Sequence, residues 1–188
     1  MTPKEMKKEI RKKVYAVSGK MTEAERFLSD EKIIGQLLSF SFYQEAQTIF
    51  CYVGVRKEIR TLHFISSALA SGKRVGVPLC GENGQMTVHE IQSPLDLEEG
   101  QWGLLEPKKH CPEIFPKEID LAVVPCLCCD VSGMRLGQGG GFYDRYFSGK
   151  SMMKAALCRE TFLFTALPME PFDQKMDFII TENQIIRH

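Results

Sequence analysis

Five consecutive apolar residues, Leu121, Ala122, Val123, Val124 and Pro125, constrain this chain most. A half-exposed strand alternates apolar and polar positions. A strand that is apolar throughout is buried on both faces, as happens inside a mostly parallel sheet covered by helices. The flanking segments agree with that environment. Residues 48–53 (TIFCYV) form a short β-branched and aromatic run, and residues 73–79 (KRVGVPL), 154–158 and 178–181 (FIIT) are further strand candidates. Residues 86–91 alternate like a half-exposed strand. Between them lie helix signatures. Thr2-Pro3-Lys4-Glu5 opens one helix with a capping box, and Thr22 to Glu25 repeats the signature. The second helix carries Phe27, Ile33, Ile34, Leu37 and Leu38 on one face, and residues 61–71 read as another helix, stopped by Gly72. Strands alternating with helices give an α/β domain with a mostly parallel sheet. Residues 93–117, rich in Pro, Glu and Lys, read as an excursion from it.

At 188 residues the chain fits a single domain spanning 1–188. Twenty-four basic and twenty-four acidic residues cancel, so no global field argues for nucleic acid or an anionic membrane surface as partner. No apolar run approaches the roughly 20 residues that span a bilayer. The first residues are basic, but Glu5 and Glu9 interrupt them and there is no apolar signal core. Seven scattered cysteines are not a secreted disulfide framework, and a reducing cytoplasmic compartment suits them better.

The buried strand leads into RLGQGGGFYDRYF, residues 135–147, with Gly137 two positions ahead of Gly139, Gly140 and Gly141. Successive backbone N–H groups in such a run form an anion-binding nest. A helix starting at Phe142 would add its dipole and free N–H groups. Arg135, Asp144 and Arg145 flank the run, which favours a nucleotide phosphate with a metal over a merely flexible surface loop. Asp130, Asp144, Asp173 and Asp177 are the carboxylates in reach by sequence, and magnesium needs only one or two beside a phosphate. The first helix sets Lys4, Lys7, Lys8 and Arg11 close together, either as phosphate contacts or as a solvated face. Glu58, in a loop after a strand, either accepts hydrogen bonds from an amino-substituted heterocycle or decorates the next helix start. Cys126 and Cys129 have Cys-x-x-Cys spacing, but zinc needs four ligands and Cys111 with His110 is no recognised second pair, so buried strand-end residues are the plainer reading. No P-loop, nucleophile elbow or clear Cys-His pair is present.

RLGQGGGFYDRYF, preceded by DLAVVPCLCCDVSGM, resembles the 5-formyltetrahydrofolate cyclo-ligase (5,10-methenyltetrahydrofolate synthetase) family. KKEIR at residues 7–11, KEIRT at 57–61, WGLLEP at 102–107 and LP…FDQKMDFIITE at 167–182 match in the same order, making five ordered segments over nearly the whole chain. The resemblance implies a three-layer α/β/α fold related to sugar-phosphate isomerases and CoA transferases. It implies that Lys7, Lys8, Glu9, Ile10 and Arg11 contact ATP phosphates. It implies that Arg135, Leu136, Gly137, Gln138, Gly139, Gly140, Gly141, Phe142 and Tyr143 wrap the ATP, with residues 138–142 also approaching the formyl group. Val53, Glu58 and Trp102 would line the folate site, Glu58 holding the pterin ring. Asp144 and Asp173 would bind Mg2+, and Arg135, Tyr143 and Asp144 would carry the chemistry.

The implied reaction converts ATP and 5-formyltetrahydrofolate to 5,10-methenyltetrahydrofolate, ADP and phosphate. The formyl oxygen attacks the γ-phosphate, a folate nitrogen attacks the activated carbon, and phosphate leaves. Positioning and charge neutralisation serve this better than a protein nucleophile. The expected partners are small molecules, the expected state a monomer or weak homodimer. Some positions depart from the family pattern: Cys126 for Gly, Cys129 for Phe, Arg60 for an acid, Gly140 for Lys in some members, Gln138 for Tyr or Arg, and Thr161 for Gln. Those departures keep a silent nucleotide- or folate-binding regulator as an alternative, beside a sugar-phosphate isomerase or related transferase.

Overall fold

The computed structural model describes residues 1–100 and 103–188. Helix α1 (Pro3–Lys20) starts where Thr2 Oγ1 accepts from the Glu5 amide and the Glu5 carboxylate accepts from the Thr2 amide. Thr22 and Glu25 close the same reciprocal cap on α2 (Glu23–Ser39). These caps satisfy backbone donors that have no partner inside the helix. A short α3 (Ser41–Glu45) leads into β1 (Thr48–Cys51), followed by α4 (Leu62–Ala70), β2 (Arg74–Cys80) and β3 (Met86–Ile91). A two-stranded ribbon, β4 (Leu97–Glu99) and β5 (Leu105–Pro107), occupies the expected excursion. Then come β6 (Leu121–Pro125), β7 (Cys128–Asp130), β8 (Arg135–Leu136), α5 (Phe142–Phe147), β9 (Met153–Leu157), β10 (Leu163–Phe164), β11 (Phe178–Ile180) and β12 (Ile185–Arg187).

Seven strands form the central sheet in the order β12-β11-β9-β6-β1-β2-β3. The five inner strands are parallel, and β12 and β3 pair antiparallel at the edges. Alternate residues of each inner strand enter separate cores, as a period of two requires. Ile49, Cys51, Val75, Val77, Leu121, Val123, Ala155, Leu157, Phe178 and Ile180 face α2, α3 and α4. Phe50, Ala122, Val124, Ala156 and Ile179 face α1, α5 and the small sheet β10-β7-β8. Both faces are therefore covered, which is why residues 121–125 tolerate no polar side chain.

Three expectations shift. Phe27 does not belong to the buried face of α2; it is 52% exposed, and the Arg60 guanidinium lies 5.5 Å over its ring. Its i+6 and i+7 neighbours Ile33 and Ile34 turn inward. Strand β1 ends at Cys51 rather than at residue 53, so Tyr52 and Val53 lie beyond it. Helix α4 runs Leu62–Ala70 rather than 61–71, because the Thr61 hydroxyl closes the preceding loop, donating to the Tyr52 carbonyl (2.6 Å) and accepting from the Gly54 amide (3.0 Å).

A buried ionic knot ties α2 to the sheet. Asp30, 3% exposed, accepts from Arg159 Nη2 (2.7 Å) and Arg60 Nε (2.8 Å). Arg159, just past β9, is 5% exposed and also donates to Ser29. Removing one partner of such a pair strands the other charge without water. Asp30→Ala is expected to lower unfolding free energy by about 3–5 kcal/mol, read from urea midpoints at unchanged slope; a loss below about 1 kcal/mol would show that the knot contributes little.

Candidate functional site

Chain direction creates the site. From β1 the chain crosses through α4 to β2 on one side, while from the neighbouring β6 it proceeds towards β9 and β11 on the other. Ligands of open α/β sheets bind in the crevice at such a switch, beyond the carboxyl ends of the strands. A cavity of about 600 Å³ lies there. Tyr52 and Val53 reach it from the end of β1, Pro78 and Cys80 from β2, and Pro125 and Cys126 from β6.

The loop after β1 is held by a close backbone approach. A Cβ on Gly54 would lie 2.0 Å from the Ile59 carbonyl oxygen, so only glycine fits. The Tyr52 hydroxyl donates to the same carbonyl (3.1 Å), and the Thr61 hydroxyl closes the loop base. This fixes Glu58, whose carboxylate accepts from the Val55 amide (3.2 Å) and faces the cavity. Burial raises the Glu58 pKa above its ordinary value, opposed by hydrogen bonds from Val55 and Gln138. Glu58 is therefore not surface decoration on the next helix.

Helix α1 contributes Lys4, Lys7 and Arg11, spaced to share one face. Arg11 Nε donates to the Gly137 carbonyl (2.9 Å), and Tyr15 bonds Gln138, docking the helix on the glycine run. Lys7 is 6% exposed and pairs with Asp173 and Glu170 (2.9 Å). Burial pulls the Lys7 pKa down, but those two partners more than offset it and leave it raised. Of the expected phosphate contacts on this helix, Lys8, Glu9 and Ile10 are not among the residues lining the cavity. Lys8 and Glu9 are exposed on another face, Glu9 pairing with Lys12 (2.8 Å), and Ile10 packs on the core.

Arg135, Leu136, Gly137, Gln138, Gly139, Gly140, Gly141, Phe142, Tyr143 and Asp144 all line the cavity. Gly139 (φ 109°) and Gly141 (φ 70°) take left-handed conformations that side chains disfavour. Helix α5 does start at Phe142, yet it has only six residues, so its dipole is small and loop N–H groups with arginine supply the positive character. Arg135 is 5% exposed. Its Nη2 donates to Asp144 (3.0 Å), its guanidinium lies 5.4 Å over the Tyr143 ring, and its buried Nε has no partner among the described residues. A guanidinium charge on a cavity wall is suited to an anion. Tyr143 stacks on Phe50 with centroids 6.0 Å apart, and burial raises its pKa well above the ordinary phenol, so at neutral pH it offers an O–H donor.

The four aspartates of the sequence separate by role. Asp130 is buried and accepts from Ser132, Met134 and Leu167, bracing the turn between β7 and β8. Asp177 accepts from the Lys154 amide (2.8 Å). Only Asp144 and Asp173 face the cavity. Asp144 uses Oδ1 for both Arg135 and the Gln174 amide, and Asp173 uses Oδ2 for both Lys7 and the Glu170 amide. Among the described residues no hydrogen bond takes the second oxygen of either, so the donor set fits a hard divalent ion. Glu106, Glu170, Phe172 and Leu105 also line the cavity. No local signal singled them out, although Glu106 and Glu170 lie within or beside the matching segments. Trp102, expected to wall the folate site, lies outside the described residues. Arg60 is engaged by Asp30 and Glu23 and is not a lining residue, and Thr161 is exposed.

Residues 3–182 match the model of the 5-formyltetrahydrofolate cyclo-ligase family. A protein of Schizosaccharomyces pombe described as a probable 5-formyltetrahydrofolate cyclo-ligase is 28% identical over 83% of this chain and 85% of its own length. The 5-formyltetrahydrofolate cyclo-ligase of Mycolicibacterium smegmatis is 31% identical over 72% of this chain and 73% of its own. The NMR structure of Aquifex aeolicus 5,10-methenyltetrahydrofolate synthetase superposes with a TM-score of 0.86 at 28% identity, covering 97% of this chain and 92% of that one. With the glycine run, Glu58 and the α1 cations meeting in one cavity and the family match running almost end to end, this chain belongs to the 5-formyltetrahydrofolate cyclo-ligase family.

Proposed function

We propose that this chain cyclises 5-formyltetrahydrofolate to 5,10-methenyltetrahydrofolate at the expense of ATP, releasing ADP and phosphate. The observation that carries the reading is one cavity joining a cationic, glycine-lined wall to the half-buried Glu58 carboxylate. The first suits a triphosphate and the second the N–H donors of a pterin ring. Lys4, Lys7, Arg11, Arg135 and the amides of residues 137–141 bind phosphate, and Val53 and Glu58 hold the folate. The formyl oxygen attacks the γ-phosphorus and ADP leaves. The folate nitrogen N10 then attacks the activated formyl carbon, its proton departs, and phosphate leaves with the former formyl oxygen. The Arg135 guanidinium charge at the cavity wall balances the charge spread over the transferring phosphoryl oxygens, and the Tyr143 O–H donates beside it. Closure of the pocket by the β4–β5 ribbon, through Leu104 and Leu105, limits water at the reacting carbon.

Asp144 and Asp173 are the residues that would hold magnesium. That ion, when bound, would supply charge neutralisation on the phosphates. The sheet order and the two covered faces support the three-layer arrangement of sugar-phosphate isomerases and CoA transferases, as one domain over 1–188. Seven free cysteines support a reducing cytoplasmic setting, and among the described residues no helix is long and apolar enough to cross a membrane. The working unit is a monomer or weak homodimer.

Mixing the protein with Mg-ATP and 5-formyltetrahydrofolate is expected to raise the near-ultraviolet absorbance of the methenyl product only when ATP is present. Binding of both ligands without that rise would point to a silent regulator instead. Asp144→Asn is expected to lower kcat by about 10²-fold, the scale of losing one electrostatic contact to the transferring group, while folate Kd stays within about twofold. Near-wild-type turnover would remove Asp144 from the metal site. Glu58→Gln is expected to weaken folate binding about tenfold or more at neutral pH, the scale of losing a charged hydrogen-bond acceptor. Because the ionised Glu58 is the acceptor and its pKa is raised, wild-type folate affinity should fall as pH drops through a range above that of ordinary carboxylates, and Glu58→Gln should flatten that fall. Titrating folate affinity against pH in both proteins checks this.

A further inference from the structure

Three sulfurs that the cyclisation does not use meet at the cavity wall. Cys126 follows β6, Cys129 sits in β7, and Cys158 follows β9, and their Sγ atoms all lie within 4.8 Å of one another. Sequence spacing pairs only the first two. The third arrives because β6 and β9 run parallel with Pro125 opposite Leu157, so the next residues, Cys126 and Cys158, leave the sheet together. Cys129 and Cys158 are buried, whereas Cys126 is partly exposed and lines the cavity. As a thiol, Cys126 donates to the Leu157 carbonyl (3.1 Å); as a thiolate it can accept from Cys129, 3.4 Å away. Cys158 is turned to the Arg159 and Phe162 carbonyls, at 3.4 and 3.5 Å. Cys126 and Cys129 are also two of the positions at which the sequence departs from the pattern it otherwise resembles.

Cys80 lines the same cavity and serves as an internal comparison. Burial, with Glu106 nearby, pushes its pKa up to about 11. Cys126 moves the other way: the hydrogen bond from Cys129 first, with the Arg135 and Arg159 charges, holds it well below the ordinary thiol value. An accessible thiolate beside a resolving cysteine is the arrangement of an oxidisable sensor thiol.

We propose that Cys126 is a hydroperoxide-oxidised thiol that closes a reversible disulfide with Cys129 in the wall of the cavity. The Cys126 thiolate attacks an oxygen of the hydroperoxide ROOH. An S–O bond forms, the O–O bond breaks, and the alkoxide leaves and takes a proton as ROH. Sulfur is oxidised by two electrons to the sulfenic acid, and the peroxide is reduced. Cys129 then attacks the Cys126 sulfur. The S–S bond forms, the S–O bond breaks, and the Cys129 proton leaves with the hydroxyl as water. In sum, two thiols and ROOH give a disulfide, ROH and water, and a thiol reductant reverses it.

The test uses the full chain, hydrogen peroxide, alkylation of remaining thiols and trypsin. Cleavage after Lys117 and Arg135 places Cys126, Cys128 and Cys129 in one peptide, and cleavage after Lys154 and Arg159 places Cys158 in another. The expected product is a 118–135 peptide that has lost two hydrogens, with Cys128 and Cys158 alkylated, and dithiothreitol should restore it. In Cys129→Ser, dimedone should trap a sulfenic acid at Cys126 at least about tenfold faster than at Cys80, following thiolate character. Cys126→Ala, a second variant that needs no new polar group, should abolish both products. A cross-link between the 118–135 and 155–159 peptides would overturn Cys129 as partner. Oxidation starting at Cys80, or an unmodified Cys126, would overturn the proposal. None of these readouts involves folate or ATP, so they stand apart from the cyclisation reading.

Discussion

Two adjacent parallel strands, β1 and β6, send the chain in opposite directions, and the rest of the molecule is arranged around the crevice this opens. Helix α4 leaves β1 on one face of the sheet, while α5 follows β6 on the other. Among the described residues no crossover helix covers the gap between the strand ends. Peptide groups there lack ladder partners, so side chains, turns or a ligand must satisfy them. After β1 the Thr61 hydroxyl accepts from the Gly54 amide and donates to the Tyr52 carbonyl, and the Tyr52 hydroxyl donates to the Ile59 carbonyl; after β8 Arg11 and Arg145 donate to the Gly137 and Gly140 carbonyls. The cavity is thus a consequence of topology before any residue in it is chosen.

Charge is handled by pairing that stops short of saturation. Arg135 and Lys7 are both buried, which is tolerable only beside carboxylates. Asp144 and Asp173 provide these, yet among the described residues each spends only one oxygen on them. The buried charges are therefore held by internal pairs, while the cavity wall keeps cationic charge for an anion and carboxylate oxygens for a cation. The Asp30–Arg159 pair lacks that reserve. Asp30 serves two arginines, and its role is to fix α2 against the sheet.

Helix starts and buried strands were legible because they rest on local physics. Reciprocal caps at Thr2 and Thr22 involve residues three apart, and the all-apolar 121–125 run needs no knowledge of its neighbours. Phe27 was misplaced because an arginine distant in sequence covers it. The short strands of the small sheet escaped notice because two or three residues carry no period. Among site residues, the glycine run and Glu58 stand out in sequence. Tyr52, Cys80, Glu106 and Phe172 do not, since each is ordinary until the chain folds around it.

Sequence alone determined the α/β class, the strand that must be central, the glycine run and the family, because caps, periodicity and ordered motifs are encoded within short segments. Tertiary structure decided which charges matter. It turned Lys7 and Arg11 inward and left Lys8 and Glu9 in solvent. It reduced four aspartates to two in the cavity and brought Cys158 beside Cys126 and Cys129. Those choices depend on helix docking angle and strand register, which are set by packing between segments distant in sequence, as where Arg11 meets Gly137 and Pro125 lies opposite Leu157.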